Sequence, residues 1–215
     1  MPNSSRPRDP EATRQRLIAA ARDLILQRGF SAAGVEQICA DAGVTKGAFF
    51  HHFSSKEALG QAALANWAAF GMALYARAKS GPRRHPLDHL HAFFDIMTGF
   101  VDEAPGPVTC VVGIMSQELA LANPEMRESC SRYLGDWTDF ARQLLDEAKS
   151  DRPPAIDFDA EDVAWYLNSL WQGSMLVAKT RQDPEIIRRN LARARAHVDT
   201  LFGFSPPKPQ PEKTT

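Results

Sequence analysis

The chain has 215 residues, of which 44% are hydrophobic and 24% charged, the balance of a globular protein with one sizeable core or two small ones. Lys and Arg total 25 against 26 Asp and Glu, which excludes a polybasic arm or an acidic tail dominating the whole chain. Three cysteines, Cys39, Cys110 and Cys130, form no CxxC pair and give no basis for a disulfide framework, so a reducing compartment is expected.

Taken in chain order, the punctuation is helical. Residues 1–9 lack apolar periodicity and are expected to form a mobile arm. The first thirty residues mix charge with short apolar stretches, unlike a secretory leader. Gly29 ends a first helix over 10–28. Helices over 35–42 and 46–52 follow, separated by Gly43. Ser54 and Glu57 read as a capping box opening a long helix over 55–79. Its nearly apolar run, Ala62 to Tyr75, is too short to span a bilayer and is interrupted by Asn66. Further helices are expected over 87–103, 108–122, 124–149, 159–181 and 184–202. Asn123 and Asp183, each before a proline, suit helix starts. Residues 205–215 hold four prolines and are expected to be a disordered tail. The fold class is therefore all-α, with about nine helices and no hairpin signal.

Residues 1–60 carry 8 basic and 6 acidic side chains, and the remainder 17 and 20, so a polyanion partner belongs at the N-terminal end. The informative segment there is Val35 to Lys56. Val35, Ile38, Cys39 and Ala42 share one face of a short helix. Gly43 permits the left-handed stop, Val44 plugs the turn, and Thr45 caps the next helix. The result is a helix-turn-helix whose second helix can enter a major groove. Phe49 and Phe53 point inward, toward Ile18 and Leu24. Thr45, Lys46, Gly47, Phe50 and His51 lie outward, at the start of the helix or along its free face, and Lys56 at the start of the next helix can grip a phosphate. Read as a core hairpin instead, the same residues would be a solvated face.

The first-helix run RLIAAARDLILQRGF, the run Ala42-Gly43-Val44-Thr45-Lys46-Gly47, and His52-Phe53 with Ser55-Lys56-Glu57-Ala58-Leu59 together resemble the tetracycline-repressor (TetR) family of bacterial one-component regulators. The resemblance runs from about Thr13 to Leu59. It implies a DNA-binding head over 1–60 and an effector-binding and dimerisation body over 61–204, acting as a homodimer on a palindromic operator, usually as a repressor. No cofactor is expected, and the sparse cysteines, the first thirty residues and the short apolar run together predict a cytoplasmic location and no membrane. The chain departs from the family pattern in two ways. Phe50 stands where a tyrosine is usual, losing a hydroxyl for phosphate but keeping a surface for a thymine methyl. Ala33 and Gly34 stand where a threonine is favoured, so a cap is lost.

In the body, Trp165, Leu170 and Trp171 are large and Ser169, Gly173 and Ser174 small along one helix; the resemblance pairs this helix and the next with their copies, with Trp165, Ser169 and Gly173 at the dimer contact, while the same residues could instead be monomer core. Phe93, Met97, Phe100, Cys110, Met115, Tyr133, Trp137 and Phe140 are candidates to line an apolar effector pocket, or to be plain core. Cys110, near a helix start, is a packing residue or a reactive thiol. His85, Asp88, His89 and His91 are read as solvated groups at a helix start and not as metal ligands. The competing functions are an enzyme using the helical body and an adaptor whose head binds protein. The chain shows no nucleophile elbow, zinc-helix motif or P-loop.

Overall fold

The breakers in the sequence end helices where backbone chemistry requires it. A computed structural model describes residues 9–103 and 108–204. The arm to residue 8, the tail 205–215 and the Pro-Gly-Pro segment before Cys110 lie outside the described residues. Among the described residues there are nine α-helices and no strand: α1 (Pro10–Arg28), α2 (Val35–Ala42), α3 (Lys46–His52), α4 (Lys56–Ala76), α5 (Asp88–Asp102), α6 (Val111–Leu119), α7 (Pro124–Asp151), α8 (Ala160–Arg181) and α9 (Glu185–Leu201).

Side chains fix several of the starts. The Asp9 carboxylate accepts from Glu11 N–H at 3.0 Å, and Pro10 fills the first position of α1. Asn123 Oδ1 accepts from Met126 N–H at 2.9 Å ahead of Pro124. Asp159 accepts from both Glu161 and Asp162 N–H groups, at 2.7 and 3.3 Å. The long helix α4 corrects the sequence reading at both ends. Ser55, not Ser54, accepts from Ala58 N–H at 3.0 Å, so Glu57 is one position out of register for a reciprocal box. At its far end the last turn tightens into a 3-10 segment, Arg77–Lys79. Helix α6 is shorter than expected because Val108 and Thr109 are buried ahead of it in non-helical backbone and Cys110 takes the extended cap position.

The described chain divides into two compact units. The first holds 9–72 with 109–134: α1 to α3, most of α4, α6 and the start of α7. Its core is built by Leu17, Ile25, Ile38, Phe49, Leu59, Leu64, Met115 and Met126, each no more than 2% exposed. The second holds 73–103, 108 and 135–204. Phe93, Phe94, Met97, Leu145, Trp171, Val198 and Phe202 are buried there. The buried Asn168 amide donates to Thr138 Oγ1 at 2.8 Å, so these polar groups enter the core as a pair. No helix of the described residues is long and apolar enough to cross a membrane.

Candidate nucleic-acid interface

The turn between α2 and α3 is set by backbone. Gly43 sits at φ 64°, ψ 41°, in the left-handed region that favours glycine. Its N–H donates to Ala40 O at 3.1 Å, and Val44 N–H to Cys39 O at 2.9 Å, closing α2. Thr45 Oγ1 then accepts from Ala48 N–H at 3.2 Å and starts α3. At the α2 start, Gly34 provides no side-chain cap, as the Ala33-Gly34 sequence implies.

Helix α3 has seven residues, too few to hold itself together in water. Packing fixes it. Phe49 is fully buried and Phe53 is 5% exposed, and both belong to the first unit's core with Ile18 and Leu24. On the other face Thr45, Lys46, Gly47 and His51 are exposed, and Phe50 shows 56% of its surface. A side chain added at Gly47 would meet no atom nearer than Thr45 Oγ1 at 3.9 Å, so no packing inside the chain calls for a glycine there. Lys46 pairs with Glu36 at 3.2 Å, but both side chains are mostly exposed, so the pair is screened and weak. Lys56 is placed differently from the other five. It is half-buried, donates to Ser31 O at 3.0 Å and lies 4.6 Å from the Phe30 ring centroid.

The eight pocket candidates fall into both units. Phe93, Met97, Phe100, Trp137 and Phe140 belong to the second; Cys110, Met115 and Tyr133 belong to the first. In the second, Phe93 is the hub: Trp137 lies at 5.2 Å, Phe140 at 5.7 Å and Tyr75 at 5.3 Å between ring centroids. Tyr75 was not among the candidates, because it sits in the apolar run of α4 and reads there as core. Met115 is a core residue of the first unit, with Cys110 and Tyr133 packed against that core. None of the three cysteines is in a disulfide. Burial pushes the thiols of Cys39 and Cys130 above their ordinary value.

On α8, Trp165, Ser169 and Gly173 share a partly or fully exposed face, and a Cβ at Gly173 would meet nothing within 4 Å. The same face carries Tyr166, Leu176 and Val177, exposed by 45%, 48% and 46%. Continuing the 165–169–173 spacing one more turn would have found Val177. Trp171 is buried on the opposite side.

His85, His89 and His91 are partly buried and not solvated as the sequence suggests, and each takes a separate partner. His85 Nδ1 accepts from Leu87 N–H at 3.2 Å, His89 Nδ1 meets Glu147 at 3.2 Å, and His91 Nε2 meets the buried Asp199 at 2.6 Å. Asp88 accepts from the His85 and Arg84 N–H groups, which hold its carboxyl below the ordinary value. Among the described residues no three His, Cys, Asp or Glu side chains converge on a point where a metal ion could sit.

Against known proteins, residues 17–63 match the model "Bacterial regulatory proteins, tetR family", and residues 86–196 match "Tetracyclin repressor-like, C-terminal domain". The chain is 27% identical to the transcriptional regulator AcuR of Cereibacter sphaeroides, over 86% of this chain and 85% of that one. It is equally 27% identical to the HTH-type transcriptional repressor NemR of Escherichia coli, over 87% and 94%. In structure, it matches the reduced form of E. coli NemR with a TM-score of 0.73 at 27% identity, over 91% of this chain and 99% of that one. It matches a TetR regulatory protein from Rhodobacter sphaeroides with a TM-score of 0.78 at 25% identity, over 86% and 98%. The chain belongs to the TetR family of bacterial regulatory proteins.

Proposed function

We propose that this protein is a homodimeric transcriptional regulator that represses by binding a palindromic operator and is released by a small-molecule effector. The observation that supports it best is the face of α3. Five positions (Thr45, Lys46, Gly47, Phe50 and His51) are left outward at the start and along the free face of a helix whose buried side, Phe49, is packed into the core. Lys46 and His51 supply charge and hydrogen bonds for phosphates or base edges, Gly47 admits close backbone approach, and Phe50 offers an apolar surface to a thymine methyl. Residues 1–60 form the DNA-binding part in this reading, and 61–204 the effector-binding and dimerisation part. The face of α8 bearing Trp165, Ser169 and Gly173 pairs with its copy. The effector is a small apolar molecule held without a covalent bond beside the Phe93, Trp137 and Phe140 cluster. The protein works in the cytoplasm, where operator DNA lies.

The test is enrichment of duplex DNA from a random library by the full chain, followed by salt titration on the recovered duplex. Affinity falls steeply with salt, and Lys46→Ala reduces the slope by about one phosphate contact. Equal binding by wild type, Lys46→Ala and His51→Ala would overturn the reading of α3. Effector release that a thiol reagent reproduces in wild type but not in Cys110→Ser would replace the non-covalent effector with a covalent one.

A further inference from the structure

The turn that follows α1 presents three donors outside any helix: the N–H groups of Phe30 and Ser31 and the Ser31 hydroxyl. One side chain, Glu118 of α6, takes all three. Its Oε1 accepts from Phe30 N–H at 3.2 Å, and its Oε2 from Ser31 N–H and Ser31 Oγ, each at 2.7 Å. The preceding residue has to be glycine for this to happen. Gly29 sits at φ +87°, and a Cβ there would lie 2.3 Å from Glu118 Oε1. The peptide carbonyl of the same Ser31 accepts from Lys56 at 3.0 Å. Ser31 is therefore gripped on its donor side by α6 and on its acceptor side by the first residue of α4. An ammonium has three donors, and Ser31 takes one.

We infer that Glu118 is a positioning residue for the DNA-binding head: its carboxylate fixes the α1–α2 turn and, through the Ser31 carbonyl, holds Lys56 where it meets a DNA phosphate. This rests on the DNA-binding reading above. The chemistry fits such a role. Hydrogen bonds to an ionised carboxylate are short and strong, and two successive N–H groups with a hydroxyl make a cradle shaped for one anion.

The sign of a mutational effect separates positioning from simple charge. A carboxylate near DNA repels phosphate, so if charge alone mattered, Glu118→Gln would tighten binding. Positioning requires the reverse: operator affinity falls on the order of tenfold, since hydrogen bonds to a charged acceptor are lost. Glu118→Asp, which keeps the charge but is one methylene short, behaves like Glu118→Gln. In the Glu118→Gln background, Lys56→Ala costs little more, because Lys56 is already displaced. Amide exchange at Phe30 and Ser31 accelerates in Glu118→Gln, a measurement that needs no DNA. The inference is overturned if Glu118→Gln binds the selected operator as tightly as wild type or more tightly, if Lys56→Ala costs the same factor in both backgrounds, or if Phe30 and Ser31 exchange at wild-type rates. Wild-type binding to the operator is the control for the underlying reading. Its absence would overturn that reading and the positioning role with it, whereas a wild type that binds alongside an indifferent Glu118→Gln overturns the positioning role alone.

Discussion

Two adjacent phenylalanines of α3 carry opposite predictions. Phe49 is 0% exposed and Phe50 is 56% exposed. Truncating a buried phenylalanine to alanine costs about 3–5 kcal/mol, the transfer term plus the cavity it leaves. Phe49→Ala removes the main anchor of a helix with no internal stability, and nothing flexible enough to refill the space lies in so short an element. At about 2–4 °C per kcal/mol for a chain of this size, the melting midpoint falls by about 6–20 °C. Phe50→Ala gives up chiefly the edge-on contact with Phe49, whose ring centroid lies 5.0 Å away. Such a contact is worth about 0.5–1.5 kcal/mol, or about 1–6 °C. Operator binding runs differently: Phe50→Ala weakens it while the protein stays folded. The assay is thermal denaturation by circular dichroism at fixed protein concentration, paired with operator affinity measured well below the midpoint. The reasoning is refuted if Phe50→Ala destabilises as much as Phe49→Ala, or if it binds operator with wild-type affinity.

Gly173→Trp enters open space in one protomer and so leaves helicity intact, but sedimentation moves toward monomer and operator binding is lost; a variant that stays dimeric contradicts the α8 contact. In native-state thiol labelling Cys110, half-buried, reacts ahead of Cys39 and Cys130, whose burial both hides the thiols and disfavours the thiolate; equal rates at all three contradict this ordering. Burial works to raise the Glu147 carboxyl, but the hydrogen bonds and charges of Lys79 and His89 outweigh it and hold the carboxyl below its ordinary 4.5. Its contribution to stability is therefore complete above that value and is lost as pH falls through the lower folded-state value. The advantage of wild type over Glu147→Gln in urea midpoint should vanish toward acid pH, and an advantage that is independent of pH contradicts the assignment.

The head was legible because its signals are local. Gly43, Thr45 and the Phe49–Phe53 spacing each act within a few residues, and the backbone obeys each of them. The start of α4 was misplaced by one residue because Ser54 and Ser55 are equally good caps in isolation, and only the register of the helix chooses between them. The candidate pocket was less legible. An aromatic or a methionine on an amphipathic helix reports that a face is buried, but not which core receives it. Met115 and Tyr133 therefore looked like neighbours of Phe93, although they belong to the unit that contains α1. Glu118 was invisible altogether. Two of its three donors are backbone groups 87 and 88 residues away, so they leave no side-chain trace, and an exposed glutamate on an amphipathic helix is ordinary. The sequence marks Gly29 as a helix stop, which it is, but its second duty of clearing room for a carboxylate shows only in the fold.

In the proposed function, two copies of this chain present α3 to one DNA duplex. Hydroxyl-radical footprinting of the full chain on its selected duplex tests it most directly. Two protected blocks related by a twofold axis are expected, with centres about 34–36 Å apart or a multiple of that, on one side of the helix. Both blocks should disappear together in Gly173→Trp and should weaken in Phe50→Ala. A single protected block with no symmetry mate, or two blocks that survive Gly173→Trp unchanged, would contradict it.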